Sequence, residues 1–332
     1  MSYILGIETS CDETAAAVVE SGRRVLSNIV YSQIPIHREY GGVVPEIASR
    51  KHVEVIRHVV ETALEESGIS AEELDGIAVT QGPGLVGPLL VGLSFAKAYS
   101  YGLDIPLLGV HHLDGHICAN YLAFPDLEPP FLALIVSGGH SHFYHVRDYG
   151  DYQLLGGTRD DALGEAFDKV ARMLDLPYPG GPEVEKLALQ GEDRYDFPMA
   201  LLEEDSLDFS FSGMKSAIRN HLQKHPAETL KDRADIAHSF QERAFDVVEE
   251  KIKRAIKQTE AKTLVIAGGV AANQRLRDRL SDLPVDLRFP PLKYCTDNAA
   301  MIASSGYYML RDGKRSPLTL NAKPNLSLEN CG

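Results

Sequence analysis

His112 and His116 stand four positions apart in the sequence VHHLDGH, and their type and spacing suit metal chemistry. Residues four apart lie on one face of an α-helix, so both imidazoles could bind the same metal ion. The pair alone is weak evidence, because the chain contains 12 histidines. A carboxylate such as Asp297, far along the chain in the sequence CTDN, would complete a set of three ligands. Two imidazoles and one carboxylate suit iron(II) or zinc and leave coordination positions open for substrate oxygens.

Two glycine-rich segments could bind an anion. Gly138 and Gly139 lie between two predicted strands, where backbone N–H groups can approach an anionic oxygen closely; a plain hairpin turn is the alternative. The segment 267–273, of sequence AGGVAAN, runs from a buried strand into the start of a helix, where the helix dipole favours an anion or a nucleotide. Asn273 could then contact a base or a ribose, or act only as the helix N-cap.

Other candidate groups have an equally good structural explanation. The loops 82–87 and 179–182 are rich in glycine and proline, and simple turns account for both, although the second precedes a helix that carries Glu185. Asp168 lies on a predicted helix, where it could accept a hydrogen bond from a sugar hydroxyl or remain exposed to solvent.

The turn after the first predicted strand carries two acids, Asp12 and Glu13. An acid in this place could serve as a general base or bind a metal-bound water, although most acids in turns are solvated. Cys11 and Cys295 flank candidate site residues, but we assign neither a nucleophilic role because buried, inert cysteine is the commoner outcome.

The elements that must position these residues fall into two halves, and both halves are predicted to begin β-β-β-α and to continue β-α-β. In the first half we predict strands at 4–9, 14–19, 25–31, 77–80 and 107–110, with a helix at 45–67 before the fourth strand and a helix at 89–101 before the fifth. In the second half we predict strands 131–136, 142–146 and 152–155, helices 162–174, 214–222 and 234–258, strand 263–267, a helix from Asn273, strand 285–289 and a helix from Asn298.

The proline-rich joint 124–130 separates the two halves, and no repeat is visible at the level of sequence. Two similar α/β halves would leave a cleft between them, with turns from both halves converging on it. The charged helix 234–258 is interpreted as a solvated helix that packs by one face.

Composition restricts the class of protein. The 332 residues are 44% hydrophobic and 24% charged, which is typical of a folded globular chain and enough for two domains. The formal charge of −14 argues against nucleic-acid binding through the overall field, so such a partner would need a local basic patch or a second protein. The four cysteines form no C-x-x-C pair, and the N-terminus lacks a secretory pattern, so we expect a reducing, cytoplasmic location.

Taken together, the motifs resemble those of a known family, the tRNA N6-adenosine threonylcarbamoyltransferases, called TsaD in bacteria and once labelled glycoproteases. The resemblance covers nearly the whole chain and is carried by ten motifs, at 6–14, 40–46, 82–85, 112–116, 136–140, 164–169, 178–182, 208–213, 268–273 and 295–298. Departures are small: Ser141 replaces a frequent threonine, and Glu185 stands where relatives often carry aspartate, which weakens the expected ribose contact.

The resemblance implies a fold and a reaction. The fold would be the actin-like, Hsp70-like (ASKHA) fold of two related α/β domains around a central cleft, with a first domain of residues 1–125, completed by 300–332, and a second of residues 126–299. Members of the family transfer the threonylcarbamoyl group from threonylcarbamoyl-AMP to N6 of adenosine 37 in tRNAs that read codons beginning with A, and AMP is released.

The resemblance also implies residue roles. The metal ligands would be His112, His116 and Asp297, binding one Fe²⁺ or Zn²⁺ ion. Asp12 is the candidate base near the attacking amine. The contacts to the adenine nucleotide (threonylcarbamoyl-AMP or AMP, with ATP as a further ligand) would be made by Ile135, Val136, Ser137, Gly138, Gly139, Asp168, Gly181, Glu185 and Asn273.

Partners follow from the same resemblance. Relatives work with TsaB, a catalytically silent paralogue that pairs with the first domain, and with TsaE, an ATPase; no membrane is involved. The tRNA would have to meet local basic clusters, for which solvated helix faces are the alternative interpretation. The candidate clusters are Lys215, Arg219, His221 and Lys224, and Arg275, Arg277 and Arg279.

Three alternative functions are weaker. A zinc peptidase of the HExxH type has glutamate directly after the first histidine, whereas Leu113 occupies that place here. An ATP-dependent kinase or ATPase on the same fold would not need the histidine pair. A non-enzymatic scaffold would have little reason to assemble all three candidate ligands.

Overall fold

The computed structural model describes residues 1–200 and 205–328, and the chain divides into two compact units. The first unit contains residues 1–129, 147–152 and those from Pro290 onward, and the second contains residues 130–146 and 153–289. The segment 290–299, which the sequence-based division assigns to the second domain, therefore clusters with the first unit. Cys331 lies outside the described residues.

The first unit is built around a mixed sheet. Its strand order is β3-β2-β1-β4-β5; β1 pairs antiparallel with β2 and parallel with β4, and β4 pairs parallel with β5. The elements of this unit are β1 (Tyr3–Glu8), β2 (Glu13–Glu20), β3 (Arg24–Ser32), α1 (Ile34–Arg38), α2 (Pro45–Ser67), β4 (Gly76–Gly82), α3 (Val86–Leu103), β5 (Leu107–His111), α4 (His112–Ala123) and, last in the chain, α10 (Ala299–Arg311).

Helices cover both faces of this sheet, because alternate residues of each strand point to opposite sides. Ala15 and Ala17 of β2 pack with Met301 of α10, whereas Ala16 and Val18 pack on the other face in the cluster that contains α2 and α3. α10 comes very close to the sheet at Gly6, where a Cβ atom would collide with the backbone oxygen of Ala299. The start of α10, and with it the preceding Asp297, is therefore fixed against β1.

The second unit repeats this arrangement. Its sheet has the order β10-β9-β6-β7-β8, which is the order of the first sheet with β6 in the place of β1. The repeated β-β-β-α, β-α-β organisation predicted from the sequence is thus confirmed. The elements are β6 (Phe131–Val136), β7 (Ser141–Asp148), β8 (Asp151–Gly156), α5 (Leu163–Met173), α6 (Gly180–Ala188), α7 (Ser212–Lys224), α8 (Leu230–Thr259), β9 (Thr263–Ala267), α9 (Gln274–Leu280) and β10 (Asp286–Arg288).

The interpretation of α8 as a solvated helix that packs by one face is wrong. The helix begins at Leu230, with Thr229 as N-cap, and buries side chains around much of its circumference, including Phe240 and Phe245. Even Lys251 is fully buried, and its ammonium donates a 2.6 Å hydrogen bond to the backbone oxygen of Ser206. Long charged side chains on the remaining face hide this burial from a pattern based on hydrophobicity alone.

Lys251 should make stability depend on pH. Burial, with a smaller contribution from the charge of Arg254, lowers the pKa of Lys251 to about 8. The unfolded chain, with a lysine pKa of about 10.4, binds more protons in this range, so the free energy of unfolding should rise with pH between these two values. Urea unfolding from pH 7.5 to 10 should show this rise relative to the variant Lys251→Met.

The matched control is Lys253→Met, on the exposed face of the same helix, which should change the pH dependence less. A wild-type curve parallel to that of Lys251→Met over the whole range would show that the buried ammonium does not titrate there.

Among the described helices, none is long and apolar enough to span a membrane.

Candidate metal centre and nucleotide-binding turns

Two helix starts in the first unit carry the three candidate metal ligands. His112 opens α4 directly after β5, and His116 lies one turn further along the same helix. His111 caps this helix, since its Nδ1 accepts a 3.1 Å hydrogen bond from the backbone N–H of Leu113. Asp297 precedes Asn298, whose side chain caps α10 in the same way. Caps fix the first turn of a helix, so both ligand-bearing segments are held by local structure.

The ligand atoms of His112, His116 and Asp297 all lie within 4.8 Å of one another. Asp297 Oδ1 is 3.4 Å from Nε2 of His112 and 3.3 Å from Nε2 of His116. His116 is fully buried; within the described residues its Nδ1 has no hydrogen-bond partner, and its Nε2 faces the Asp297 carboxylate without forming a well-aligned hydrogen bond. A buried imidazole without such a partner is costly, and a metal ion bound to Nε2 would satisfy it. The three residues therefore fit a divalent metal ion.

The neighbouring imidazoles favour the ionised form of Asp297, which is the form that binds a metal ion. Burial alone would raise the pKa of Asp297, but the His112 and His116 imidazoles hold it far below its ordinary value. Burial alone would lower the pKa of His112, but the carboxylates of Asp297 and Glu8 hold it well above its ordinary value. In this arrangement a proton on His112 occupies the place that a cation would take, so metal binding should release protons.

The acids that follow β1 lie close to this set. Asp12 is buried, and its carboxylate raises the pKa of Glu13, as does Asp297, in addition to the larger effect of burial. Burial, with a further contribution from Asp12, also raises the pKa of the Cys11 thiol well above its ordinary value. A thiol that resists deprotonation is a poor nucleophile.

In the second unit the candidate nucleotide-binding turns lie side by side. β6 and β9 are parallel neighbours, and Ile135 pairs with Ala267 at their carboxyl ends. The turns that begin at Ser137 and at Gly268 therefore leave the same edge of the sheet, which is where ligands bind in open α/β sheets. The start of α5 packs onto the first turn, since the N–H of Gly164 donates to the backbone oxygen of Ser137 at 3.1 Å.

Four glycines at these turns have open space where a side chain would be. Gly138, Gly139, Gly181 and Gly269 have no neighbouring atom of the described chain within 4 Å of a built Cβ, and none has a φ in the left-handed region. Neither crowding nor backbone conformation therefore explains glycine at these positions. A ligand that must approach backbone N–H groups closely would explain it, because a side chain would occupy the same space.

Three polar candidates already support the local backbone. Asp168 Oδ1 accepts a 2.7 Å hydrogen bond from the N–H of Gly180, at the start of α6. Glu185 Oε1 accepts a 2.6 Å hydrogen bond from the N–H of Gln274, at the start of α9. Asn273 caps α9 and also donates a 3.1 Å hydrogen bond to Gln241 Oε1. Each of these side chains has a structural role whether or not it contacts a ligand.

A cavity of about 670 Å³ opens between α6, α8 and α9 in the second unit. This volume lies in the usual range for sites that bind small molecules. Of the candidate nucleotide contacts only Glu185 lines it, together with Lys186, Leu189, His238, Gln241 and Gln274. Gln241 is not among the site residues predicted from the sequence. It lies on α8, which the sequence pattern indicated to be a solvated helix.

The basic cluster on α9 is already neutralised in part. Arg275 forms an ion pair with Glu242, and Arg279 forms ion pairs with Glu242, Asp246 and Glu249. These two arginines support the alternative interpretation, a salt-bridged helix face, more than a surface that binds a phosphate backbone.

Sequence reasoning also missed the residues around His112. Glu8 Oε2 lies 3.0 Å from His112 Nδ1, and Ser10 Oγ lies 3.3 Å from the same nitrogen. The feature of the sequence that could have indicated this contact is Glu8 itself. It is a charged residue at the end of the otherwise apolar strand YILGIE, which is buried on both faces. Buried acids are rare unless they have partners.

Sequence comparisons agree with this geometry. Residues 24–304 match the family model described as TsaD, tRNA N6-adenosine threonylcarbamoyltransferase. Among the relatives, enzymes of that name from Clostridium perfringens and Geobacillus kaustophilus are each 54% identical to the chain. The alignments cover 98% of this chain in both cases, with 98% of the first relative and 97% of the second.

Comparisons of structure show the fold. A full-length HypF in a phosphate- and nucleotide-bound form matches with a TM-score of 0.63 at 15% identity, over 95% of this chain and 47% of that chain. Component A of the (R)-2-hydroxyglutaryl-CoA dehydratase of Acidaminococcus fermentans matches with a TM-score of 0.54 at 15% identity, over 92% and 98% of the two chains. Both are proteins of the ASKHA fold, as predicted. The sequence matches, which span nearly the whole length, place the chain in the tRNA N6-adenosine threonylcarbamoyltransferase family.

Proposed function

We propose that the chain transfers the threonylcarbamoyl group from threonylcarbamoyl-AMP to N6 of adenosine 37 in tRNA, with His112, His116 and Asp297 as ligands of one divalent metal ion. The observation that carries the proposal is the close approach of the three ligand atoms around a buried histidine whose ring nitrogens form no well-aligned hydrogen bond in the described chain. Family membership supplies the reaction, and this geometry supports a metal site formed by the three residues.

The chemistry is acyl transfer. The N6 amine attacks the carbamoyl carbon, a new C–N bond forms, and the bond from that carbon to the phosphate oxygen breaks, so that AMP leaves. A bound metal ion would supply Lewis acidity toward a substrate oxygen. The chain's own residues bind and orient the adenylate, which lowers the barrier by holding the reacting atoms in position. No covalent intermediate on the protein is required.

The candidate contacts divide by chemistry. The nucleotide would lie against Ile135, Val136, Ser137, Gly138 and Gly139, and its phosphate would be received by the N–H groups of Gly138 and Gly139, because the Ser137 N–H already donates to the backbone oxygen of His140. Asp168, Gly181, Glu185 and Asn273 would lie around the ribose and the base. These assignments are supported by the open space at Gly138, Gly139 and Gly181.

Asp12 is our candidate for the base that receives a proton from the amine. The support is its burial close to Glu13 and Asp297, and therefore close to the candidate metal ligands.

We further propose Fe²⁺ or Zn²⁺ as the metal, because two imidazoles and one carboxylate suit both ions. The partners would be the tRNA, a TsaB-type paralogue bound through the first unit and a TsaE-type ATPase, in the cytoplasm. A partner protein would also compensate for the net charge of −14, which disfavours direct tRNA binding.

The test is a nucleoside digest. The purified chain, loaded with metal and supplied with the partner proteins, is incubated with threonylcarbamoyl-AMP and an unmodified tRNA that carries adenosine 37. Threonylcarbamoyladenosine and AMP should form in equal amounts, and a tRNA with guanosine 37 should give neither product. AMP release without modified nucleoside, or modification of the guanosine tRNA, would contradict the proposal.

A further inference from the structure

We propose that Glu8 is a positioning residue for the metal centre, which holds His112 in the tautomer that presents Nε2 to the ion. The proposal rests on the proposed role of His112 as a metal ligand. Glu8 itself would not touch the ion; it would act through the imidazole.

The surroundings of Glu8 are those of an acceptor held in one position. The side chain is fully buried at the end of the central strand β1. Its Oε2 accepts a 2.6 Å hydrogen bond from Thr80 Oγ1 and lies 3.0 Å from His112 Nδ1, and its Oε1 accepts a 2.5 Å hydrogen bond from the backbone N–H of Ser10. Two donors, the Thr80 hydroxyl and the Ser10 N–H, around one carboxyl group match an ionised carboxylate, which can only accept.

The two nitrogens of His112 consequently face different partners. Nδ1 faces the Glu8 carboxylate at 3.0 Å, closer than the neutral Ser10 hydroxyl at 3.3 Å. Nε2 faces Asp297, on the side of the candidate metal site. Asp297 also presents a carboxylate to Nε2, but a metal ion bound there would exclude a proton, so the one proton of the neutral imidazole would lie on Nδ1, toward Glu8. The lone pair is then on Nε2, where a metal ion could accept it, and the negative partner makes that nitrogen a stronger ligand.

The backbone around Glu8 and Ser10 is unusually fixed. Ser10 accepts a 2.8 Å hydrogen bond from the N–H of Leu85 through its backbone oxygen, and the chain at Gly84 passes so close that a Cβ there would lie 2.6 Å from the same oxygen. Thr80 lies on β4, directly beside β1 in the sheet. These contacts leave little freedom for the carboxylate, as the positioning of a metal ligand requires.

A purely structural role explains the arrangement less well. A buried carboxylate and its polar partners can often be replaced by apolar residues of similar volume with little loss of stability, and sometimes with a gain. The rest of β1 from Ile4 to Ile7 is buried and carries no polar side chain. Glu8 is the single acid of this strand, and it contacts a candidate metal ligand.

The test measures metal affinity in place of activity. Metal-free protein is titrated with Co²⁺ against a competing chelator, and the visible absorption of the bound ion is recorded. Glu8→Gln should weaken Co²⁺ binding by about 10- to 100-fold, which is the usual effect of removing such an outer partner, and should shift the absorption bands. The matched control is Glu20→Gln, another buried carboxylate of the same sheet that is paired with Arg24; it should bind Co²⁺ like the wild type.

The variant His112→Ala separates the two proposals. If His112→Ala binds Co²⁺ as tightly as the wild type, the proposed metal role fails. If His112→Ala loses the ion but Glu8→Gln keeps wild-type affinity and absorption, the metal role stands and the positioning role of Glu8 is wrong.

A second measurement does not depend on how well Glu8→Gln folds. In ¹⁵N-histidine spectra of the wild-type protein loaded with Zn²⁺, the His112 signal, assigned by its loss in His112→Ala, should show a protonated Nδ1 and a metal-bound Nε2. A metal-bound Nδ1 with a protonated Nε2 would overturn the proposal.

Discussion

The double variant His112→Ala with His116→Ala should lose its bound metal and at least about 1,000-fold in kcat/KM for tRNA modification, if the metal ion contributes about 4 kcal/mol to the barrier. The imidazoles lie 3.4 and 3.3 Å from the Asp297 carboxylate, and a single carboxylate is too few ligands to retain the ion. Metal content is measured by mass spectrometry and modification by nucleoside digest. The far-UV circular dichroism of the variant should match that of the wild type.

The control for this experiment keeps the spacing and changes the location. His221 and His225 are also four residues apart, at the end of α7, and their ring centroids are 5.3 Å apart. The double variant His221→Ala with His225→Ala should retain the metal in full. If instead this variant loses the ion while the variant at His112 and His116 retains it, the ligand assignment is wrong.

The variant Gly139→Val should lose about 100-fold in kcat/KM and bind AMP more weakly, with its metal content unchanged. Nothing in the described chain lies within 4 Å of a Cβ at this position, so the protein itself leaves open space where the side chain would begin. In the proposed phosphate site, however, the valine side chain would displace the ligand from the backbone N–H groups. A displacement of about 1 Å can lower the rate by about 100-fold. AMP affinity is measured by calorimetry.

The matched control is Gly102→Val, an exposed glycine of α3 that also has open space around a built Cβ. It should behave like the wild type in AMP binding and in modification. Unchanged AMP affinity in Gly139→Val, with the control also unchanged, would remove the glycine turn from the nucleotide site.

The elements with clear local signals could be predicted from the sequence. The helix Pro45–Ser67 is predictable to the residue because Pro45 suits the first turn and Gly68 ends the helix in the left-handed conformation. The strands Phe131–Val136 and Thr263–Ala267 contain the continuous apolar runs 131–136 and 264–267, which is typical of buried strands, and each strand is followed by a glycine turn. The short helix α1 was not predicted, since five residues are too few for a periodic pattern.

What could not be predicted depends on contacts between distant segments. The spacing of His112 and His116 indicates a shared helix face, but the approach of Asp297 depends on α10 returning to β1, where Gly6 allows it close contact. Gln241 and Lys251 lie on a helix that reads as charged, and their burial follows from packing that no short window of sequence contains. The role of Glu8 depends in the same way on Thr80 and His112, 72 and 104 positions away.

The most direct test of the metal centre is X-ray absorption at the metal edge of the Zn²⁺-loaded protein. Two imidazole nitrogens and carboxylate oxygen at about 2.0 to 2.2 Å, with the imidazole signal lost in the double variant at His112 and His116, are the predicted result. A sulfur shell at about 2.3 Å, or a spectrum with imidazole signal that the double variant leaves unchanged, would contradict it.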